Sequence, residues 1–186
     1  MTPIPRPNIR MDIPAATTDA GADVILALGS NLGDRVATLA LGIRQIADIE
    51  GFELTQIAPL YESAAVKLDG VDHDAPSYVN TVVAGRYTGT PQDLLAAINA
   101  IENSNGRVRT ERWGDRTLDI DIIVVGDIRS DDDTLTLPHP RAAERDFVLV
   151  PWLDIDPDAM LPGRGRVADL LAQLEITVVP LEGTGT

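Results

Sequence analysis

The stretch Leu118-Asp119-Ile120-Asp121-Ile122-Ile123-Val124-Val125 decides the fold. Its β-branched run predicts a strand, and a strand turns successive side chains to opposite faces. Ile120, Ile122 and Val124 are then expected on the core face, with Asp119 and Asp121 together on the other. Two steps along a strand separate their Cα atoms by about 7 Å, so both carboxylates can converge on one small site.

Outward from this strand the pattern alternates. Asp23–Leu28 is a short apolar run ending at Gly29 and predicts a buried strand. From Asp34 to Ile49, apolar residues at Val36, Leu39, Ala40, Ile43, Ile46 and Ala47 have helical spacing. Phe52–Glu62 alternates loosely, and Tyr78–Tyr87 reads as a strand through Val79, Val82 and Val83. Pro91 opens a second helix, continued by Leu94, Leu95, Ile98 and Ile101 and ending near Gly106. Ala64–Ser77 and Gly106–Thr117 are expected as long loops, which in a compact domain tend to carry function. A weaker strand is expected at Thr134–Leu137, and short helices at Arg145–Leu153 and Val167–Leu174. The order β-α-β-β-α-β with extra C-terminal elements predicts an α+β, ferredoxin-like sandwich. Its two helices would cover one face of an antiparallel sheet and leave the other face to ligands. Residues 1–21, with Pro3, Pro5, Pro7 and Pro14, are expected as a mobile arm, 22–178 as a single catalytic domain and 179–186 as a tail.

Composition narrows the chemistry. The 186 residues contain no cysteine and two histidines, His73 and His139. Disulfides, thiolate nucleophiles, iron–sulfur clusters and zinc sites that need sulfur are thereby excluded. Fifteen basic against twenty-nine acidic residues give a net charge of −14, which repels nucleic acid and anionic membrane. Lys67 is the single lysine; it is not in a Gly-Lys-Ser/Thr context, so a P-loop is excluded. The usual protein-kinase motifs and GxSxG are also missing. No secretory leader is read in the arm and no run of 18 apolar residues occurs. A cytoplasmic monomer is expected.

Two acids side by side repel unless a cation lies between them or both face solvent, and the spacing alone admits either. Oxygen ligands of this kind suit Mg²⁺, which completes its shell with water and substrate phosphates. Just before the pair, Arg107, Arg109, Arg112 and Arg116 crowd into ten residues. Such a run can be a solvated loop. Beside a dicarboxylate, its planar forks suit a polyphosphate. Leu137-Pro-His-Pro-Arg141 holds His139 between two prolines, with Arg141 and Arg145 nearby. Trp113, Tyr78 and Phe147 are scarce aromatics, able to fill a core or to stack on a flat heterocycle.

The run Gly106-Arg-Val-Arg-Thr-Glu-Arg-Trp-Gly-Asp-Arg-Thr-Leu-Asp-Ile-Asp-Ile-Ile123 resembles the signature of the 6-hydroxymethyl-7,8-dihydropterin pyrophosphokinase family. Ala27-Leu-Gly-Ser-Asn-Leu-Gly-Asp34, Tyr61-Glu-Ser63, Tyr78-Val-Asn80 and Leu137–Pro151 resemble further family segments in the same order. The resemblance spans about residues 23 to 178. It implies transfer of a diphosphoryl group from ATP to the hydroxymethyl of a reduced pterin, releasing AMP. It also implies that Asp119 and Asp121 hold two Mg²⁺ ions, and that Arg107, Arg116, His139 and Arg145 contact ATP phosphates. Arg109 and Arg112 would belong to a loop that closes over the site, with Trp113 and Glu102 also on the ATP side. Tyr78 and Phe147 would sandwich the pterin, Asn80 would read its hydrogen-bonding edge, and Ser63 and Val66 would add backbone contacts. Arg107, Arg116, Asp119 and Asp121 are the implied catalytic set. Ala64 and Asp115 depart from the family pattern. The other classes weighed are a small-molecule-sensing module and a nucleic-acid-binding domain on the same fold. The first needs no dicarboxylate beside four arginines, and the net charge opposes the second.

Overall fold

The computed structural model describes residues 21–67, 70–72, 76–106 and 117–181. In chain order the elements are β1 (Ala22–Ser30), α1 (Arg35–Ala47), β2 (Phe52–Ile57), β3 (Tyr61–Ser63), β4 (Ala65–Lys67), β5 (Gly70–Asp72), β6 (Tyr78–Tyr87), α2 (Pro91–Ser104) and β7 (Asp119–Val125). Then come β8 (Ser130–Asp131), β9 (Thr136–Leu137), a 3-10 turn at Ala142–Glu144, α3 (Asp146–Ile155), β10 (Met160–Leu161), β11 (Gly165–Arg166), α4 (Val167–Leu171) and β12 (Val179–Pro180). The two long helices start where short polar side chains can cap them. Asp34 accepts from the Ala37 N–H at 3.0 Å. Thr90 and Asp93 form a reciprocal capping box ahead of Pro91.

The main sheet runs β12-β3-β6-β1-β7, with β2 also paired to β6, and every pairing is antiparallel. β2 and β3 share one lane along β6: Phe52–Ile57 lies against Val83–Tyr87, and Tyr61–Ser63 against Tyr78–Asn80. The loose alternation of Phe52–Glu62 is this break, which contains Pro59; a proline cannot donate to a ladder. The Ala58 N–H donates to Val82 O at 2.8 Å and the Thr81 hydroxyl to Ala58 O at 2.9 Å, so the gap keeps its polar groups paired.

One sheet face packs on α1 and α2 through Leu26, Leu28, Ile43, Ile98, Ile120 and Ile122. The other face is not left open. α3 and α4 cover much of it, with Ile25, Val82, Ile123, Val148, Leu149 and Trp152 in a second core. Val124 belongs to this second core, against the alternation expected from the sequence. Pairing with β1 passes from Leu26–Ile122 to Ile25–Val124. Ile123 is therefore an extra residue, a β-bulge that reverses the parity of the strand. The loop expected at Ala64–Ser77 contains a small hairpin, β4 on β5, with Val66 opposite Val71.

Close packing gives a direct test. A Cβ on Gly85 would meet Phe52 Cζ at 2.5 Å and the backbone oxygen of Glu53 at 2.7 Å. Backbone cannot yield as a side-chain tip can, so G85A should cost ~1–3 kcal/mol, read as a fall in melting temperature.

Candidate active site

Alternation assembles the site at one end of the second face. Ile123 lies in the core beneath α3, so Asp121 and Asp119, two and four residues earlier, share its face. Val82 fixes Asn80 and Tyr78 on the same face. Directly opposed residues in antiparallel pairs point the same way, which adds Ser63 opposite Tyr78 and Gly29 between Asp119 and Asn80. Gly29 keeps this row open. A Cβ there would lie 3.1 Å from Asn80 Oδ1 and 3.6 Å from Tyr78 Cδ1.

β7 forms one edge of the main sheet, and two of its backbone groups pair with site residues. The Ile120 N–H donates to Glu102 Oε1 at 2.9 Å, and the His139 N–H donates to Ile123 O at 2.9 Å. Glu102 is buried at the end of α2, so it grips the backbone between the two acids. The second contact lays the Pro138–Pro140 segment along β7 and carries His139 to Asp121. Nε2 of His139 stands 3.7 Å from Asp121 Oδ2. Arg145, just ahead of α3, donates from Nη1 to the same oxygen at 2.7 Å. Its guanidinium carbon lies 5.5 Å from the centroid of the Phe147 ring. Asp121, His139, Arg145 and Phe147 thus form one cluster.

Burial pushes the His139 pKa below its usual 6.5, and Arg145 and Arg141 act in the same sense, while Asp121 and Asp119 oppose them. Its Nδ1 accepts the Arg141 N–H at 3.2 Å, which leaves the ring proton on Nε2, toward Asp121. Folding favours the neutral ring, so this stability is present above about pH 6.5 and lost as pH falls through the lower folded pKa. Wild type should therefore lose melting temperature relative to H139Q between about pH 7 and pH 5.5; parallel curves would exclude this role.

On the pterin side expected from the sequence, the Asn80 amide donates from Nδ2 to Ser63 Oγ at 2.8 Å, and both residues are buried. On the opposite face, Arg35 donates to Glu62 Oε1 at 2.9 Å and to Ser77 O at 2.8 Å. The Ser77 hydroxyl and Arg35 hold the Glu62 carboxyl below its usual pKa. Sequence reading passed over this clamp, which joins residues 27 and 42 positions apart.

Arg107, Arg109, Arg112, Trp113 and Arg116 lie outside the described residues. Val66 is placed by its backbone in β4. Among the described residues there is no group of three or more acidic, histidine or cysteine side chains that could hold a metal. Asp119 and Asp121 supply two oxygen-donor side chains on one partly exposed face. That donor set fits Mg²⁺, which draws the rest of its shell from water and phosphate oxygens. A cavity of about 880 Å³ opens at the far end of the sheet, lined by Asp23, Gly85, Arg129 and Trp152, with none of the site side chains in its wall.

A family profile described as 7,8-dihydro-6-hydroxymethylpterin-pyrophosphokinase (HPPK) matches residues 25–157. The chain is 36% identical over 156 residues to the 2-amino-4-hydroxy-6-hydroxymethyldihydropteridine pyrophosphokinase of Synechocystis sp., covering 83% of this chain and 77% of that one. It is 39% identical over 165 residues to the enzyme of the same name from Mycobacterium bovis, covering 82% and 84%. A solved Plasmodium falciparum HPPK-DHPS with pteroate shares the fold at a TM-score of 0.63 and 12% identity, over 83% of this chain and 44% of that one. The present chain thus spans less than half of that longer protein. With residues 25–157 matched by the profile, the chain belongs to the 7,8-dihydro-6-hydroxymethylpterin pyrophosphokinase family.

Proposed function

We propose that this chain transfers the diphosphoryl group of ATP to the hydroxymethyl of 6-hydroxymethyl-7,8-dihydropterin, a step of folate biosynthesis. Family membership and the relatives' names support the reaction. The observation that carries it to particular residues is the row across the sheet end. The acid, arginine and histidine cluster stands on one side of Gly29 and the buried Asn80–Ser63 pair on the other. The strand order and antiparallel pairing also support a ferredoxin-like sandwich extended by C-terminal elements.

The hydroxymethyl oxygen attacks the β-phosphorus of ATP. The bond from that phosphorus to the oxygen bridging the α- and β-phosphoryl groups breaks, AMP leaves with that oxygen, and the hydroxyl proton goes to solvent. The chain's own part is positioning and charge. Asn80, held by the Ser63 hydroxyl, presents its amide to the edge of the pterin, with Tyr78 and Phe147 for its faces and Ser63 and Val66 lending backbone contacts. Arg145 and His139 meet phosphate oxygens together with Arg107 and Arg116, while Arg109 and Arg112 close over the site and Trp113 lies on the ATP side. Glu102 supports the ATP side through the backbone between the acids. Asp119 and Asp121 would hold Mg²⁺, two ions by family analogy, which supplies charge neutralisation on the triphosphate.

The test is to mix the protein with ATP and the reduced pterin alcohol and identify the nucleotide released. AMP supports the proposal, and ADP overturns it. Calorimetry with a non-hydrolysable ATP analogue should give binding that depends on added Mg²⁺, and equal binding in chelator would remove the metal assignment.

A further inference from the structure

We infer that Asp146 is a positioning residue of the active site, holding Arg145 and Phe147 through a strap formed by the C-terminal segment. Asp146 stands between the two in sequence, and it is 8% exposed. Its Oδ2 accepts from the Thr177 N–H, from the Thr177 hydroxyl at 2.8 Å and from the Val178 N–H at 3.1 Å. Its Oδ1 accepts from the Phe147 N–H at 2.8 Å. One buried carboxylate therefore takes four donors. Three of them come from residues 31 or 32 positions away.

The strap continues to the other half of the site. Beyond Val178, β12 pairs with Glu62 and Tyr61 of β3, and the Leu181 N–H donates to Leu60 O at 2.9 Å. β3 ends at Ser63, the partner of Asn80. Asp146 thus ties the start of α3, where Arg145 meets Asp121, to the strand that ends in the pterin-side serine. Arg145, the N-cap of α3, makes no side-chain cap hydrogen bond; its carbonyl accepts the Val148 and Leu149 N–H groups, and Asp146 adds the tie from this turn to the C-terminal segment. Without it, the Thr177 and Val178 N–H groups lose their acceptor, and the backbone that aims Arg145 and Phe147 is free to shift. A shift of about 1 Å at such side chains can cost orders of magnitude in rate.

This inference rests on the proposed reaction, and the experiment separates the two. Wild type, D146A, T177V, R145A and D146A/R145A are compared at a temperature where circular dichroism shows each to be folded. D146A should raise KM for both ATP and pterin by ~10-fold, and T177V by ~2-fold, since it removes one donor of four. In the R145A background, D146A should add little to the ATP effect, because the two act as one unit. A loss of melting temperature alone, with both KM values at the wild-type level, overturns the positioning role. If D146A does not fold, an unchanged KM in T177V overturns it equally. Wild type releasing no AMP would instead overturn the reaction itself.

Discussion

D119A and D121A are each expected to lower AMP release by ~10³-fold, about 4 kcal/mol of transition-state stabilisation. The two acids share a face of β7 while the intervening Ile120 is buried in the core, so neither carboxylate is a core-packing group. Their removal takes away charge at the spot where Arg145 and His139 converge. The isosteric D119N and D121N keep the shape and lose the charge, so they should fall with the alanine variants. Steady-state rates at saturating ATP and pterin decide it. Transfer within a few-fold of wild type in either alanine variant would make the pair a solvent-facing strand end. D121A should also lose some stability, because Arg145, with a side chain 18% exposed, would be left without its ion-pair partner.

R145A should lower kcat/KM for ATP by ~10²-fold, about 2.7 kcal/mol, with a smaller effect on KM for the pterin. Arg145 reaches Asp121 from outside β7, beside His139. R145K keeps the charge but not the planar fork, and should recover only part of the loss. The split between substrates is the informative readout. An equal loss toward ATP and pterin would mean that Arg145 holds the cluster together and does not meet phosphate. An unchanged kcat/KM would remove it from the site.

What the sequence shows, and where it stops, follows from the range of the forces involved. The strand through Ile120 and Ile122 and the Pro91 start are local, and each is readable in a window of a few residues. The site residues Asp119 and Asp121 in β7, Asn80 in β6 and Ser63 in β3 come together because alternation and strand pairing place them on one face. The cover on that face was not readable. α3, Asp-Phe-Val-Leu-Val-Pro-Trp-Leu-Asp-Ile, is apolar nearly all round, which announces burial without saying against what. The grip of Asp146 on Thr177 and that of Arg35 on Ser77 pair residues 31 and 42 positions apart, beyond any local pattern. The loose alternation of Phe52–Glu62 did not show the break at Pro59, and β3 resuming in the same lane is a property of β6.

The bulge at Ile123 also constrains what evolution and engineering can do here. It works as a half-period phase shift between two sections of one strand: Asp119 and Asp121 keep step with the open end, Val124 with the covered end. Substitution at these positions changes chemistry or packing one residue at a time. Inserting or deleting a single residue between Asp121 and Val124 does something else, because it inverts one section against the other. It would turn the acids toward the α1–α2 core, or Val124 away from Trp152 and its neighbours. The spacing of this segment should therefore tolerate no change in length even where individual side chains can vary, and a library of single-codon insertions and deletions across β7 would show that gap directly.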